Sequence, residues 1–131
     1  MKEIRISELH FVGENERGTT YEFKNKRIGV QLLGLRKAGS VNGRHYHAGR
    51  SIGKNPEVFI LLSGEIELFA RNLLTKEEIR EEIKSPKIIE IEAFVWHEIK
   101  AITDIVFIEF NSIEEHAGDT EYDIIGSQFN F

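Results

Sequence analysis

Three histidines and one glutamate in this sequence have the residue types and the spacing of a metal-binding site. His45 and His47 flank Tyr46. On a β-strand residues i and i+2 point to the same face, so the two imidazoles would project side by side. Imidazole nitrogen is a common ligand for Zn, Fe, Ni and Cu, and two at this spacing supply half of a site. An exposed histidine pair without a shared partner would give the same pattern.

Glu57 and His97 each place a polar group among apolar neighbours of a strand-like segment. Glu57 shares one face of its segment with Phe59, and His97 lies between Val95 and Ile99 on the same face. A carboxylate in apolar surroundings must be paired, hydrogen-bonded, protonated or bound to a cation. The alternatives are an exposed strand start for Glu57 and a core histidine bonded to a backbone carbonyl for His97. Taken together, the sequence predicts a divalent-metal site formed by His45, His47, Glu57 and His97.

The segments that must position these side chains have the pattern of an all-β domain. Short β-branched or aromatic runs alternate with turn residues, which predicts strands over 28–37, 44–47, 57–62, 66–70, 87–91, 95–100 and 104–110. Ser63-Gly64 predicts a hairpin between the third and fourth of these strands. Residues 75–83 fit a short helix capped at Thr75 and also fit a strand, and a strand agrees better with the rest of the chain. Seven or eight strands in this length indicate a sandwich, barrel or jelly roll.

Length and composition limit the classes of function. At 131 residues, the chain is expected to form a single domain over 1–131. A net charge of -5 argues against broad nucleic-acid or anionic-membrane binding. The sequence has neither an apolar run long enough for a membrane span nor an N-terminal signal peptide, so we expect a cytoplasmic protein. The absence of cysteine excludes disulfides, thiolate nucleophiles and Cys-ligated zinc, so any metal must be held by His and carboxylates.

Two of the predicted strands are apolar on both faces. Alternation within 58–62 sends Phe59 and Leu61 one way and the other apolar residues the opposite way, and 105–110 is similar apart from Glu109. A strand that is apolar on both sides must be covered on both sides. A second copy of the chain is the expected cover, which predicts a homodimer.

The spacing around the first three of the four polar residues resembles the first motif of the cupins. In order, the chain has Gly39, five residues, His45-Tyr46-His47, Glu57, six residues and Gly64. Nine residues, 48–56, separate His47 from Glu57, about five more than that motif has, and their composition is that of a lengthened loop. The resemblance implies an all-β double-stranded β-helix, the cupin jelly-roll barrel, with a divalent ion such as Zn, Fe, Mn or Ni on His45, His47, Glu57 and His97.

The second cupin motif is matched at its histidine. His97 stands at that position, whereas Glu92, Phe94 and Ala101 replace the Pro, Gly and Asn of the motif. The departure at Phe94 concerns the turn before His97 and leaves the histidine itself in place.

A narrower resemblance extends over most of the chain. It is carried by Arg17-Gly18, 21–23, 43–47, 57–61, 63–65, His97 and Asp119-Thr120. These segments are similar to the cupin domain of capsular polysaccharide assembling proteins and, more distantly, to RmlC-like dTDP-4-dehydrorhamnose 3,5-epimerases and nucleotide-sugar ketoisomerases. The resemblance implies an epimerase or isomerase that acts on a small polar carbonyl compound such as a nucleotide-linked keto sugar. A non-enzymatic sugar- or small-molecule-binding cupin and an Fe(II) dioxygenase remain open as alternatives.

Such a reaction also needs a general base outside the metal ligands. The sequence does not single one out. Alternation places Tyr46 on the face opposite to the two histidines beside it. The candidate pocket residues are Tyr21, Arg44, Glu67 and Trp96, and His10 and His116, near the ends of the chain, are predicted to lie on the surface.

Overall fold

The computed structural model describes residues 1–122 and confirms the all-β class. Its strands are β1 (Ile4–Ser7), β2 (His10–Asn15), β3 (Gly18–Glu22), β4 (Leu32–Arg36), β5 (Val41–His47), β6 (Glu57–Ser63), β7 (Glu65–Asn72), β8 (Glu78–Lys84), β9 (Lys87–Ile91), β10 (Val95–Ala101), β11 (Ile105–Glu109) and β12 (Thr120–Glu121), and its helix is α1 (Ile113–Gly118). Within these described residues no helix has the length and apolar character needed to cross a membrane.

Two antiparallel five-stranded sheets build the domain, in the orders β1-β9-β6-β11-β4 and β12-β5-β10-β7-β8. Strands β2 and β3 form a separate hairpin. Alternation places the apolar residues of both sheets in one shared core, because successive side chains of a strand point to opposite faces. The fully buried members of this core include Leu61, Ile66, Leu68, Ile89 and Val95. The predicted double-sheet jelly roll is therefore confirmed.

The predicted hairpin at Ser63-Gly64 is wrong, because β6 and β7 belong to different sheets. Gly64 has a φ of 94°, and a Cβ added there would lie 2.3 Å from the carbonyl oxygen of Asp104. Only glycine fits both the backbone conformation and the space, so the chain crosses here from one sheet to the other. Strand β7 instead pairs with β8 and β10.

Two other strand predictions are resolved by the structure. The ambiguous segment after Thr75 is a strand, since β8 pairs with β7 over its whole length from Glu78 to Lys84. The strand predicted over 28–37 is shorter than expected and begins at Leu32. Val30, within the part that is not a strand, is largely exposed.

The outer face of the first sheet is covered in part by the chain itself. Ile60 packs there with Leu9 and Phe110, together with the partly buried side chains of Val58, Ile88 and Ile108. Towards the edge strand β4 this cover ends, and Leu33 and Leu35 are 64% and 66% exposed. The apolar outer face predicted from the sequence is thus closed at its centre and open at one edge.

A β-bulge in β5 sets the orientation of its two histidines. His45 pairs with His97 on β10, but the next residue of β10, Glu98, pairs with Gly43, so Arg44 is the extra residue. Arg44 has a φ of 58°, in the left-handed region. Both histidines lie on the inner, buried face, while Tyr46 points the other way and packs on Phe94.

The turn before β10 keeps the shape that a glycine would normally give it. Phe94 stands where the second cupin motif has Gly and adopts a φ of 62°. Its backbone N–H donates to the carbonyl of His47 at 2.9 Å, and its own carbonyl accepts from Leu73 at 3.0 Å. These two hydrogen bonds fix the turn, so the substitution does not displace His97.

Candidate functional site

The four predicted ligands come together inside the barrel. His45 and His47 lie on β5, Glu57 begins β6, His97 lies on β10, and all four side chains are buried. The nearest ligand atoms of the three imidazoles lie within 4.8 Å of one another. Glu57 Oε2 lies 3.0 Å from Nε2 of His47 and 3.1 Å from Nε2 of His97. Two sheets therefore contribute to one cluster, which is defined here as the imidazole cluster.

The outer nitrogens of two of these imidazoles are fixed by backbone carbonyls. Nδ1 of His47 lies 3.0 Å from the carbonyl oxygen of Asp119, and Nδ1 of His97 lies 3.0 Å from that of Val95. A carbonyl oxygen only accepts, so each Nδ1 carries a proton, and in the neutral tautomer each Nε2 has a lone pair. Both lone pairs then face the carboxylate of Glu57. Such an arrangement requires a cation between them, either additional protons or a metal ion.

The donor set fits a divalent ion. Two ligands at about 2.1 Å from one ion and at a right angle to each other are about 3 Å apart, as the Nε2 atoms and Oε2 are here. The Nδ1–carbonyl contacts of His47 and His97 are the outer-shell bonds that orient metal-bound imidazoles. Nδ1 of His45 is buried without a hydrogen-bond partner among residues 1–122.

Electrostatics fix the protonation states of two members of the cluster, His45 and Glu57. Burial, reinforced by the charge of His97, lowers the pKa of His45 to about 2, so this imidazole is neutral. Burial alone would raise the pKa of Glu57, but a protonated His97 and the ammonium group of Lys54 outweigh it and hold the pKa well below its usual range. Glu57 is therefore a carboxylate.

A buried lysine behind Glu57 was not predicted from the sequence. Lys54 is 0% exposed. Its Nζ lies 3.1 Å from Oε1 of Glu57 and 3.5 Å from Oε2 of Glu109. It belongs to 48–56, the segment that lengthens the cupin motif, where Gly, Ser, Asn and Pro residues predict an exposed loop. Nothing in that composition marks one lysine as buried.

Asp119 attaches this loop to the strand that carries the histidines. Its carboxylate is buried and accepts hydrogen bonds from the backbone N–H groups of Ala48 and Ser51, both at 3.0 Å. Its backbone carbonyl accepts from Nδ1 of His47 at 3.0 Å. One residue thus orders the loop and orients an imidazole of the cluster.

Arg27 holds the same loop from the other side. Its guanidinium donates to the carbonyls of Gly53 and Phe110 at 2.9 and 3.2 Å, and to that of Pro56. Gly53 also donates its N–H to the carboxylate of Glu115 on α1 at 2.8 Å. The loop is therefore an ordered part of the site.

A cavity of about 360 Å³ lies beside the imidazole cluster. Its volume is in the range of small-ligand sites. Apolar side chains, including Phe59, Ile99 and Phe107, form much of its wall. The polar lining consists of His45, Glu57, His97, Arg36, Asn42, Glu109, His116 and Tyr122. The Arg36 guanidinium lies 5.2 Å from the centre of the Phe107 ring, so a positive charge stands at the cavity wall.

The surface prediction for His116 is wrong. Its ring is half-buried on α1, lines the cavity and lies with its centre 5.4 Å from that of His45. Burial and the nearby charge of Lys54 lower the pKa of His116 to about 4, so the imidazole is neutral. The signal that was missed is the capping box of Ser112 and Glu115, which predicts the start of a helix just before this histidine.

The remaining sequence candidates lie elsewhere. His10 is exposed, as predicted. The candidate pocket residues Tyr21, Arg44, Glu67 and Trp96 do not line the cavity formed by residues 1–122. Trp96 is fully buried.

The double-sheet barrel and its inward-facing cluster define a protein with the RmlC-like cupin fold. Neither a family model nor a curated protein matches the sequence, but solved structures do. The sugar 3,4-ketoisomerase QdtA from Thermoanaerobacterium thermosaccharolyticum, in complex with TDP, is 16% identical with a TM-score of 0.71, over 94% of this chain and 90% of that chain.

Two further structures of similar fold come from other organisms. The TDP-quinovose 3,4-ketoisomerase WlaRB from Campylobacter jejuni is 18% identical with a TM-score of 0.66, over 84% of this chain and 85% of that chain. The dTDP-4-dehydrorhamnose 3,5-epimerase from Sulfolobus tokodaii is 17% identical with a TM-score of 0.59, over 82% of this chain and 74% of that chain. At such identities the similarity establishes the fold, and function must be argued from the site.

Proposed function

We propose that the chain is an isomerase or epimerase of a nucleotide-linked keto sugar, with a divalent ion held by His45, His47, Glu57 and His97. The observation that carries the proposal is the cavity itself, in which imidazoles and a carboxylate face a space of about 360 Å³. The similar structures support the substrate class, since a mutant of QdtA was also crystallised with TDP-4-keto-6-deoxyglucose.

The chemistry required is the movement of a proton on a carbon next to a carbonyl. When bound, a divalent ion supplies Lewis-acid polarisation of a carbonyl oxygen, which acidifies the neighbouring C–H. His45, His47 and His97 would hold the ion together with Glu57, and the apolar wall around Phe107 excludes water from the sugar. Arg36, at the same wall, offers a positive charge to an anionic part of the substrate.

His116 is positioned to accept the proton. It is the cavity-lining imidazole outside the four-residue ligand set, and its buried Nδ1 has no hydrogen-bond partner among residues 1–122. Tyr122 also lines the cavity, with its ring centre 5.5 Å from that of His45. A base and a phenol in the same cavity could remove and return a proton at one carbon.

Deuterium exchange tests the reaction. Incubation with a panel of keto nucleotide sugars, including TDP-4-keto-6-deoxyglucose, in D2O should place deuterium beside the carbonyl, as detected by NMR. His116→Asn should abolish the exchange, whereas His10→Asn, the same change at an exposed histidine, should not. Thermal stabilisation by the sugars without exchange would instead indicate a non-enzymatic sugar-binding cupin. Fe(II)-dependent oxygen consumption would indicate a dioxygenase.

Metal titration tests the ion separately. Chelator-treated protein should take up equimolar divalent metal in calorimetry, and His45→Ala combined with His47→Ala should abolish the uptake. His10→Ala is the matched control and should bind as the wild type does. Native protein that is free of metal and shows no affinity on titration would reject the metal centre, while the deuterium result would still decide the reaction.

We also propose that the chain forms a homodimer through the open edge of the first sheet. Leu33 and Leu35 are exposed there, and the β2–β3 hairpin exposes Phe11 and Tyr21. An isolated two-stranded hairpin is marginally stable in water, so a partner surface is expected. Light scattering at micromolar concentration should give a dimer, and Leu35→Glu should give a monomer. Ile52→Glu is the control, because Ile52 is equally apolar and 83% exposed but lies on the 48–56 loop.

A further inference from the structure

We infer that the buried ammonium group of Lys54 competes with a divalent ion for the carboxylate of Glu57. Because Lys54 supplies a counter-charge, the imidazole cluster folds without metal, and the metal ion binds reversibly. The inference rests on the metal part of the proposed function and is independent of the substrate. Lys54 does not line the cavity, so it acts through Glu57 and is a positioning residue.

The charge of Lys54 lies inside the protein and is paired there with carboxylates. The side chain is completely buried, and its Nζ has two carboxylate partners, Glu57 at 3.1 Å and Glu109 at 3.5 Å. A buried ammonium group is strongly unfavourable unless it is paired. Replacing either partner would therefore leave the lysine undercompensated, and removing the lysine would leave a buried carboxylate without its counter-charge.

The two oxygens of Glu57 face different partners. Oε1 faces the ammonium group of Lys54, and Oε2 faces the Nε2 atoms of His47 and His97. Lys54 therefore leaves a single oxygen for a metal ion and excludes bidentate binding by this carboxylate. The same charge repels any ion placed beside Oε2, because at short range and low dielectric the repulsion between like charges is large.

The charge count around the cluster gives the direction of the effect. Glu57 and Glu109 provide two carboxylates and Lys54 one ammonium group, so removal of Lys54 makes the site more negative by one charge. A more negative site binds a divalent ion more tightly. Removal of the Glu109 charge has the opposite sign and should weaken metal binding.

The loop that interrupts the cupin motif delivers this charge. Lys54 donates its backbone N–H to the carbonyl of Ser51 at 3.1 Å, and Arg27 and Asp119 fix the same loop from opposite sides. The longer spacing between His47 and Glu57 thus places a cation where a shorter loop has no residue to supply one. This gives the insertion a physical role at the site.

Calorimetric titration of chelator-treated protein with Zn²⁺ tests the inference. Lys54→Met keeps the apolar stem and should bind Zn²⁺ about tenfold more tightly than the wild type, or more. Its melting temperature should fall in chelator, because Glu57 loses its counter-charge, and should recover on addition of Zn²⁺. Lys100→Met removes an exposed lysine from β10, the strand of His97, and should leave affinity unchanged. Glu109→Gln should weaken Zn²⁺ binding about tenfold.

Equal or weaker Zn²⁺ binding by Lys54→Met would overturn the inference, as would the absence of binding in both the variant and the wild type. If Lys54→Met does not fold with or without Zn²⁺, Glu109→Gln decides, and unchanged or tighter binding by that variant overturns the inference. None of these outcomes depends on sugar turnover. Deuterium exchange by the wild type therefore separates failure of this inference from failure of the proposed reaction.

Discussion

Replacing Asp119 by Asn tests whether the order of the 48–56 loop and the geometry of the imidazole cluster depend on the same residue. The carboxylate accepts from the backbone N–H of Ala48 through Oδ1 and from that of Ser51 through Oδ2. Burial raises the pKa of Asp119, but backbone hydrogen bonds from Ser51, Arg50 and Ala48 together lower it by more. The pKa of Asp119 therefore lies below the ordinary value, and the group is ionised. Asparagine keeps one acceptor and turns an NH₂ group towards the other N–H.

The magnitude follows from one lost charge-assisted hydrogen bond and one partly buried backbone N–H left without an acceptor. Together they should lower the free energy of unfolding by about 2–4 kcal/mol. Because the Asp119 carbonyl accepts from Nδ1 of His47, the rearranged backbone should also weaken Zn²⁺ binding in the calorimetric titration.

Urea unfolding at pH 7 measures the loss of stability. Asp104→Asn is the matched control, since Oδ1 of Asp104 accepts from the backbone N–H of Ala38 at 2.9 Å in an exposed position. That variant should lose less than about 1 kcal/mol. An Asp119→Asn protein as stable as Asp104→Asn, with metal affinity unchanged, would refute the reasoning.

Three other substitutions test further parts of the structure. Gly64→Ala should lower the free energy of unfolding in urea by about 2–3 kcal/mol, because its Cβ would meet the Asp104 carbonyl at a positive φ. An unchanged urea midpoint would contradict the close approach of the chain where it crosses between the sheets. Arg27→Met should lose about 2 kcal/mol or more through its carbonyl contacts, whereas Arg17→Met, at an exposed turn, should not. Backbone hydrogen bonding from Ser112 lowers the pKa of Glu115, so the stability this carboxylate contributes is present above its ordinary pKa of 4.5 and is lost as pH falls through the folded-state value. The difference in melting temperature between wild type and Glu115→Gln should therefore close on acidification, and a difference that does not vary with pH would count against it.

The strands and the four clustered residues could be predicted because burial leaves a pattern. Apolar residues that alternate in β7 and β10 mark the inner face, and Glu57 and His97 were recognised as polar exceptions on that face. The alternation of side chains along a strand does not show, however, which other strand it pairs with. The hairpin prediction at Ser63-Gly64 failed for this reason, since the tight turn there joins two sheets.

Residues outside the regular pattern were the ones that were missed. Lys54 lies in a loop whose composition is polar, and its burial depends on carboxylates from β6 and β11 that sequence spacing does not reveal. His116 reaches the cavity because α1 folds back onto the loop through Glu115 and Gly53. Long-range contacts of this kind have no local signature. The bound metal and the homodimer remain predictions.

The β-bulge at Arg44 lets β5 carry one extra residue while both of its histidines stay inside the barrel. His45 opposes His97 and Gly43 opposes Glu98, and opposed residues of an antiparallel pair lie on the same face of a sheet. Deleting Arg44 would therefore leave a regular ladder with β10 and both histidines still inward. The 48–56 loop likewise differs in length from the cupin motif while the four side chains still converge. A deletion at the bulge should therefore be tolerated, whereas an insertion or deletion between His45 and His47 would turn one imidazole out of the cluster.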